Sequence, residues 1–309
     1  MRWGVEQRLE FIDFRLFWDG GINRSELIEQ FGISVPQASK DLSMYEASAP
    51  GNLAYDKRAK RYFSSPQFRP RFFEPTADRY LTQLRSITDQ TVQKEETWLS
   101  QIPEAESMPI PHRRVNVEVL RTVLGAIRKQ KMVRIFYQSM NAAKPEPLWR
   151  WISPHALGND GLRWHVRAFC HMEQGFKDFL LSRCLAADGE QDGGIPASRD
   201  TSWNEFFSVN LVPNPLLSAN QQAIIAQDYC MTGGEIAIPI RKSLLYYFRK
   251  RLRLDVAHAI DNVRETPVVV ANRDAFEAAL ADAESSSDKR KLADKAIRVG
   301  APQDVPISP

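Results

Sequence analysis

Residues 23–64, NRSELIEQFGISVPQASKDLSMYEASAPGNLAYDKRAKRYFS, read as a helix, a tight turn, a second helix and a short basic hairpin. Asn23 is a good N-cap, and Glu26 three residues on gives a capping-box layout ahead of the apolar Leu27, Ile28 and Phe31. Gly32 stops that helix. Ser34 can cap a second one, with Pro36 tolerated in its first turn and Val35, Ala38, Leu42 and Tyr45 recurring at helical spacing as a buried stripe. So short a connection suits a helix-turn-helix.

The opposite side of the second helix carries Pro36, Gln37, Lys40, Ser43 and Met44, with Ser39 at the flank. Small and polar side chains near the N-terminus of such a helix are the ones that meet base edges in a major groove. Gln37 can pair with an adenine edge, Lys40 with a guanine or a phosphate, and Ser34 at the helix start with a backbone phosphate. The bland alternative is an ordinary surface helix. The next stretch tips the balance: Leu53-Ala54-Tyr55 and Arg61-Tyr62-Phe63 flank Asp56-Lys57-Arg58-Ala59-Lys60, a strand-turn-strand pattern with a cationic tip. From Lys57 to Phe73 there are six Lys or Arg and no carboxylate. Like charges at a tip repel one another, but beside a phosphate backbone they release counterions and gain affinity. A winged helix-turn-helix on double-stranded DNA follows, with Arg24, Ser34, Pro36, Gln37, Ser39, Lys40, Lys57, Arg58, Lys60 and Arg61 as the candidate contacts.

At 309 residues the chain exceeds one DNA-binding module, and about 150 residues per domain gives two or three. Hydrophobic content of 43% and charged content of 26% describe a globular protein with material for real cores. No run of about 18 apolar residues exists, and Met1-Arg2-Trp3-Gly4-Val5-Glu6 lacks a secretion-signal layout, so a cytoplasmic location away from membranes is expected. The net charge of +3 is small, so nucleic-acid affinity must come from local patches. Cys170, Cys184 and Cys230 are far apart and read as reduced, buried thiols.

Ahead of the motif, Val5, Leu9, Ile12 and Leu16 make one helical stripe and Phe11, Phe14 and Trp18 a second, which should pack on the rest of the protein or on another subunit. Residues 77–93 carry Tyr80, Leu81, Leu84 and Ile87 at helical spacing, inside a connector. A helix over 117–129 leads into strand-like runs at 133–138, 148–155, 162–170 and 176–183, whose spacing suggests a small barrel; residues 188–198, with three glycines, read as a loop. The C-terminal part is α+β: a helix capped by Ser218 with Gln221, a strand at 235–240, a helix at 244–254, a strand at 268–270 and a helix through Phe276 and Leu280. The triple serine at 285–287 and the last dozen residues read as flexible. The expected division is 1–72, a winged helix; 73–115, a helical connector; 116–190, a barrel; and 191–309, an α+β domain that holds subunits together.

In the strand at 162–170, period-2 alternation sends Leu162, Trp164, Val166, Ala168 and Cys170 to one face and Arg163, His165, Arg167 and Phe169 to the other. Trp164, sharing its face with Leu162 and Val166, reads as a packing residue. Neighbours on one face stand about 7 Å apart, so Arg163, His165 and Arg167 form a donor ladder suited to anionic groups. A half-solvated antiparallel strand alternates in the same way with no ligand at all. Tyr137, Trp151 and Phe179 are candidates to stack a base.

The runs Trp151-Ile152-Ser153-Pro154-His155-Ala156-Leu157, Gly161-Leu162-Arg163-Trp164-His165-Val166-Arg167-Ala168-Phe169 and Phe176-Lys177-Asp178-Phe179-Leu180-Leu181-Ser182-Arg183 resemble the WYL domain of bacterial transcription regulators. With the winged helix before and a WCX-like domain after, the resemblance spans nearly the whole chain. The segment 163–168 is similar to the subgroup of WYL repressors associated with phage-defence operons of the BREX and CBASS types. That resemblance implies a Sm-like barrel and a homodimer that represses its own defence operon until a signal is sensed at the WYL domain; beside it, the gathering of Arg163, His165, Arg167 and Arg183 near aromatic rings suits a nucleotide or nucleic-acid fragment as that signal. It implies ligand sites at Tyr137, Ser139, His155, His165, Arg167, Ser182 and Arg183, to which the donor ladder adds Arg163. Trp164-His165-Val166 stands where the family motif has Trp-Tyr-Leu, which adds a titratable ring and puts transfer of another member's ligand in doubt.

Histidines at 112, 155, 165, 171 and 258 form no metal-binding spacing, and no nucleophile elbow, P-loop or dinucleotide fingerprint is present, so neither enzyme nor cofactor is expected. Arg249-Lys250-Arg251 reads as charge that offsets a helix C-terminus. The competing expectation is an adaptor that senses single strands or nucleotides through the barrel and regulates a defence effector. Preference for single strands over its own promoter duplex would favour it.

Overall fold

The computed structural model describes residues 3–111, 113–142, 145–254 and 265–283, and the chain divides into two compact units between residues 111 and 112. The serine triplet and the last dozen residues lie outside the described residues.

In the first unit, α1 (Trp3–Trp18) is followed by the short β1 (Gly21–Ile22), α2 (Arg24–Phe31), α3 (Val35–Ser48), β2 (Leu53–Asp56), β3 (Arg61–Ser64) and α4 (Ala77–Thr88). The three strands form an antiparallel sheet in the order β1-β3-β2. Its core joins Leu9, Ile12 and Leu16 of α1 to Ile22, Leu27, Ala38, Leu42 and Tyr45. Both α1 stripes are used: Phe11 turns into that core, whereas Phe14 and Trp18 meet Phe73, Tyr80 and Leu99 of the connector. The connector is therefore the partner of the second stripe, and no second subunit is needed to bury it.

Two assignments on α3 change. Val35 is 53% exposed, because a first-turn side chain leans back past the helix start and misses the packed stripe. Met44 is half-buried against the core, and the fully buried position that the pattern skipped is Asp41.

In the second unit, α5 (Val117–Lys129) packs on a five-stranded antiparallel sheet of β4 (Met132–Tyr137), β5 (Leu148–Asn159), β6 (Trp164–Cys170), β7 (Gly175–Leu180) and β8 (Cys184–Gln191), in the order β7-β6-β5-β4-β8. All five strands contribute to one core, from Val133, Ile135 and Tyr137 to Ile152, Val166, Phe179 and Cys184. β7 and β8 remain edges, so the expected closed barrel is an open, curled sheet. The expected loop at 188–198 is in part the strand β8, which pairs with β4 through two register shifts, one of which accommodates Gly189 at a positive φ. Ser153, Pro154 and His155 run within the single long β5, where a register shift between Pro154 and Ala156 marks a bulge.

After the four-residue α6 (Thr201–Asn204) come β9 (Phe206–Pro213), α7 (Ala219–Asp228), β10 (Ile236–Arg241), α8 (Leu245–Arg251) and β11 (Val268–Val270), then a helix from residue 273. Ser218 and Gln221 form a reciprocal capping box. The central strand β9, absent from the sequence reading, pairs with both β10 and β11. Val209 and Leu211 lie beneath Leu245, Phe276 and Leu280. Cys170 and Cys184 are buried as expected, but Cys230 is exposed beside the end of α7.

Candidate DNA-binding surface and sensing site

The Asn23 side chain accepts from the Glu26 amide at 3.0 Å and the Glu26 carboxylate from the Asn23 amide at 2.6 Å, which fixes the start of α2. Gly32 at φ 60 ends it in the left-handed conformation that glycine adopts at least cost. Ser34 then caps α3, accepting from the Gln37 amide. The outer edge of α3 presents Pro36 and Lys40 exposed, with Gln37 and Ser39 half-buried. Gln37 donates from Nε2 to Asp41 at 2.8 Å, and Ser39 bonds back to the Val35 carbonyl. The Gln37 amide must therefore exchange Asp41 for a base edge to make a bidentate contact.

A buried polar frame holds this helix against α1 and against the residues that flank the hairpin. Asp41, wholly buried, accepts from Arg8 Nε at 2.6 Å. One turn on, the Tyr45 hydroxyl donates to Asp13, and Asn52 Nδ2 donates to Tyr45 at 3.0 Å and to the Arg69 carbonyl at 2.8 Å. Asp13 accepts in addition from the amides of Arg71 and Phe72 at 2.5 and 2.6 Å. Burial first, then the Asp13 hydrogen bond, pushes the Tyr45 phenol far up, so it remains a donor. Sequence reading missed Asp13, Asp41 and Asn52; a carboxylate inside an apolar stripe is the signal that could have found them.

At the hairpin tip Asp56 accepts from the amides of Arg58 and Ala59, and Lys60 takes a positive φ. Lys57, Arg58 and Lys60 are all exposed, as is Arg24. Arg61 differs: half-buried, it donates to the Gly21 carbonyl at 2.6 Å and pairs with Glu26, so it ties the hairpin to α2.

The sheet of the second unit treats its basic residues otherwise. β6 is not half-solvated: His165 and Arg167 are buried at 5% and 7% exposure, and Trp164, expected inside, is 52% exposed at the strand's end. The strand begins at Trp164 rather than 162, beyond the packed rows, and a second layer covers its outer face. Arg167 forks onto Asp200 at 2.7 and 3.0 Å and reaches Asp178 at 3.3 Å. His155 meets the same Asp200 at 2.9 Å. Asp160 accepts from Arg163 at 2.7 Å and lies 2.9 Å from His165, whose ring leans on Tyr247. The ladder presents no row of open donors. Burial pushes Asp200 and Asp160 up, but hydrogen bonds from their basic partners outweigh it, leaving Asp200 below the usual range and Asp160 at about 2. Beside this network lies a cavity of about 260 Å³ lined by Arg167, Asp178, Asp200, Lys242, Ser243 and Tyr247.

The expected ligand set thus falls on two faces. His155, Arg163, His165 and Arg167 share the outer face with their carboxylates. Tyr137 belongs to the inner core, with Arg183 near its hydroxyl. Ser182 and Arg183 form the turn between β7 and β8, and Ser139 follows β4, whose next residue Gln138 bonds the Arg183 carbonyl. Among the described residues no His, Cys, Asp and Glu group could hold a metal, and no helix is long and apolar enough to cross a membrane.

Comparison with known proteins matches three family profiles along the chain: the BrxR transcriptional regulator winged helix-turn-helix domain at residues 4–86, the WYL domain at 118–188 and the BrxR C-terminal dimerization domain at 206–276. The DNA-binding transcriptional repressor CapW of Pseudomonas aeruginosa is 40% identical over 273 residues, 88% of this chain and 91% of its own. The repressors of that name from Stenotrophomonas maltophilia and Escherichia coli are each 39% identical, over 88% and 90% of this chain and 91% and 93% of theirs. The proteasome accessory factor B/C of Arthrobacter aurescens aligns at 14% identity and a TM-score of 0.31, over 90% of this chain and 46% of that one.

Proposed function

Since the chain belongs to the CapW family of DNA-binding transcriptional repressors, with a BrxR-type winged helix, a WYL domain and a C-terminal dimerization domain, we propose that it is a homodimeric autorepressor of a phage-defence operon, released from its operator by an anionic ligand. One observation carries the DNA-reading part: the exposed edge of α3 around Lys40 stands in the same fixed frame as a hairpin tip of three exposed cations. The proposed contacts are those of α3, with Ser34, Pro36, Gln37, Ser39 and Lys40, together with Arg24 and the tip residues Lys57, Arg58 and Lys60. Arg61 serves the frame. Residues 1–72 would read DNA, 73–115 connect, 116–190 sense and 191–309 hold the dimer.

A two-fold dimer reads a pseudo-palindrome with half-sites about 34 Å apart or a multiple of it. A ligand that binds the weakly DNA-binding conformation better shifts the population off the operator. Such a protein works in the cytoplasm, on the duplex upstream of its own gene. Gel-shift titration of that duplex and of a shuffled one, with and without short oligonucleotides or cyclic nucleotides, checks the reading. Expected are selective retention of the upstream duplex and its release by a nucleotide; equal affinity for both duplexes contradicts it.

A further inference from the structure

The inner face of the curled sheet contains a cation whose charge is poorly answered. Arg150, opposite Ile135 on the neighbouring strand, is 4% exposed, and its Nε and Nη2 are buried without a hydrogen-bond partner. Among the described residues the carboxylate paired with it is that of Glu173, 3.5 Å from Nη1 and shared with Lys177. The guanidinium lies 5.4 Å from the centre of the Tyr137 ring and 5.9 Å from that of Phe179. Burial pushes the Cys184 thiol up to about 12 against the pull of Arg150, and burial likewise raises the Tyr137 phenol, so both stay neutral at physiological pH.

An arginine cannot shed its proton to escape this position. A buried charge whose donors are only partly answered is costly, and such costs persist where a function uses them. Nε and Nη2 form the side edge of the guanidinium, the edge that takes two oxygens of one phosphoryl or carboxylate group in a fork. A second guanidinium, Arg183, lies near the Tyr137 hydroxyl. Two guanidinium groups around one phenol favour a doubly charged group over a singly charged one.

We propose that Arg150 is the anchor of the sensing site: its Nε and Nη2 take the phosphoryl group of a nucleotide or oligonucleotide end, beside the Tyr137 and Phe179 rings and with Arg183 as the second cation. This deepens the ligand-release reading above and rests on it, naming a residue outside the set that the sequence resemblance supplied and the group it would hold. The outer-face residues Arg167 and His155 would then be structural, already answered by Asp200.

The test measures thermal midpoints of the full-length protein with pyrophosphate, a 5′-phosphorylated dinucleotide, the same dinucleotide without its 5′-phosphate, and acetate. Wild type should melt several degrees higher with the phosphorylated probes and hardly shift with the other two. Arg150→Met, which removes the unanswered charge, should melt at or above wild type when ligand-free and lose the phosphate-dependent shift. Arg150→Lys, retaining charge but not the fork, should weaken phosphorylated-dinucleotide binding at least tenfold. No shift of wild type with the phosphorylated probes, an equal shift with acetate, or an undiminished shift in both variants overturns the assignment. Should Arg150→Met fail to fold, the wild-type and Arg150→Lys arms decide. Upstream-duplex binding by the ligand-free wild type is measured in parallel, so failure of the repressor reading shows there and not in the midpoints.

Discussion

The hairpin tip and strand β6 are both short runs thick with basic residues, and the fold treats them in opposite ways. At the tip, Lys57, Arg58 and Lys60 are exposed, and the one nearby carboxylate, Asp56, spends an oxygen on turn amides. On β6, Arg167 and His165 are buried against Asp200, Asp178 and Asp160. Open cations suit a polyanion that is gripped and released, because each contact frees counterions. Committed ones hold layers together, since a buried charge is tolerated only in company. The same residue types therefore say nothing about function until their carboxylates are located.

That contrast is broken most sharply at Asp200. Replacing it by Ala leaves Arg167 and His155 facing each other without their shared anion, and should cost about 3–5 kcal/mol of stability in denaturant unfolding. A loss below about 1 kcal/mol, the value of an exposed pair, would show that β6 is no more committed than the tip. Acid gives a second, gentler probe. Asp160 and Asp200 have folded-state values below the unfolded one, so their contribution is fully present above the unfolded value and is lost as pH falls through the folded one. For Asp160 that window lies between the ordinary 3.8 and about 2. Asp160→Asn should flatten the stability–pH curve there. The smallest effect belongs to the tip. Lys57→Ala should leave the unfolding midpoint unchanged and make the log K versus log salt slope shallower by about 0.9, alike on operator and random DNA.

Much of the first unit was legible because its signals are local: the Asn23–Glu26 box, Gly32, the Ser34 cap and the cationic turn all lie within a few residues of the structure they specify. What escaped was long-range. Asp13 and Tyr45 are 32 residues apart, and Arg167 and Asp200 are 33 apart, so no window on either reveals the pair. Alternation on β6 was read correctly as two faces, but which faces are covered depends on α6 and α8 far downstream, which is why Trp164 and the ladder were misplaced. β8 escaped because its glycine is tolerated at a register shift, and β9 because a central strand flanked on both sides lacks the turn signals that mark hairpins. Arg150 carries no local pattern at all; only its burial and unanswered nitrogens single it out.

The account stands on the outer edge of α3 meeting base edges while the tip grips the backbone. Binding of wild type, Gln37→Ala and Lys40→Ala to the upstream duplex and to a shuffled duplex, at two salt concentrations, tests this directly. The expected result is a loss of about 1–3 kcal/mol on the upstream duplex for each variant, with affinity for the shuffled duplex nearly unchanged for Gln37→Ala and only weakly reduced for Lys40→Ala. Equal losses on both duplexes, or no loss on either, would contradict it.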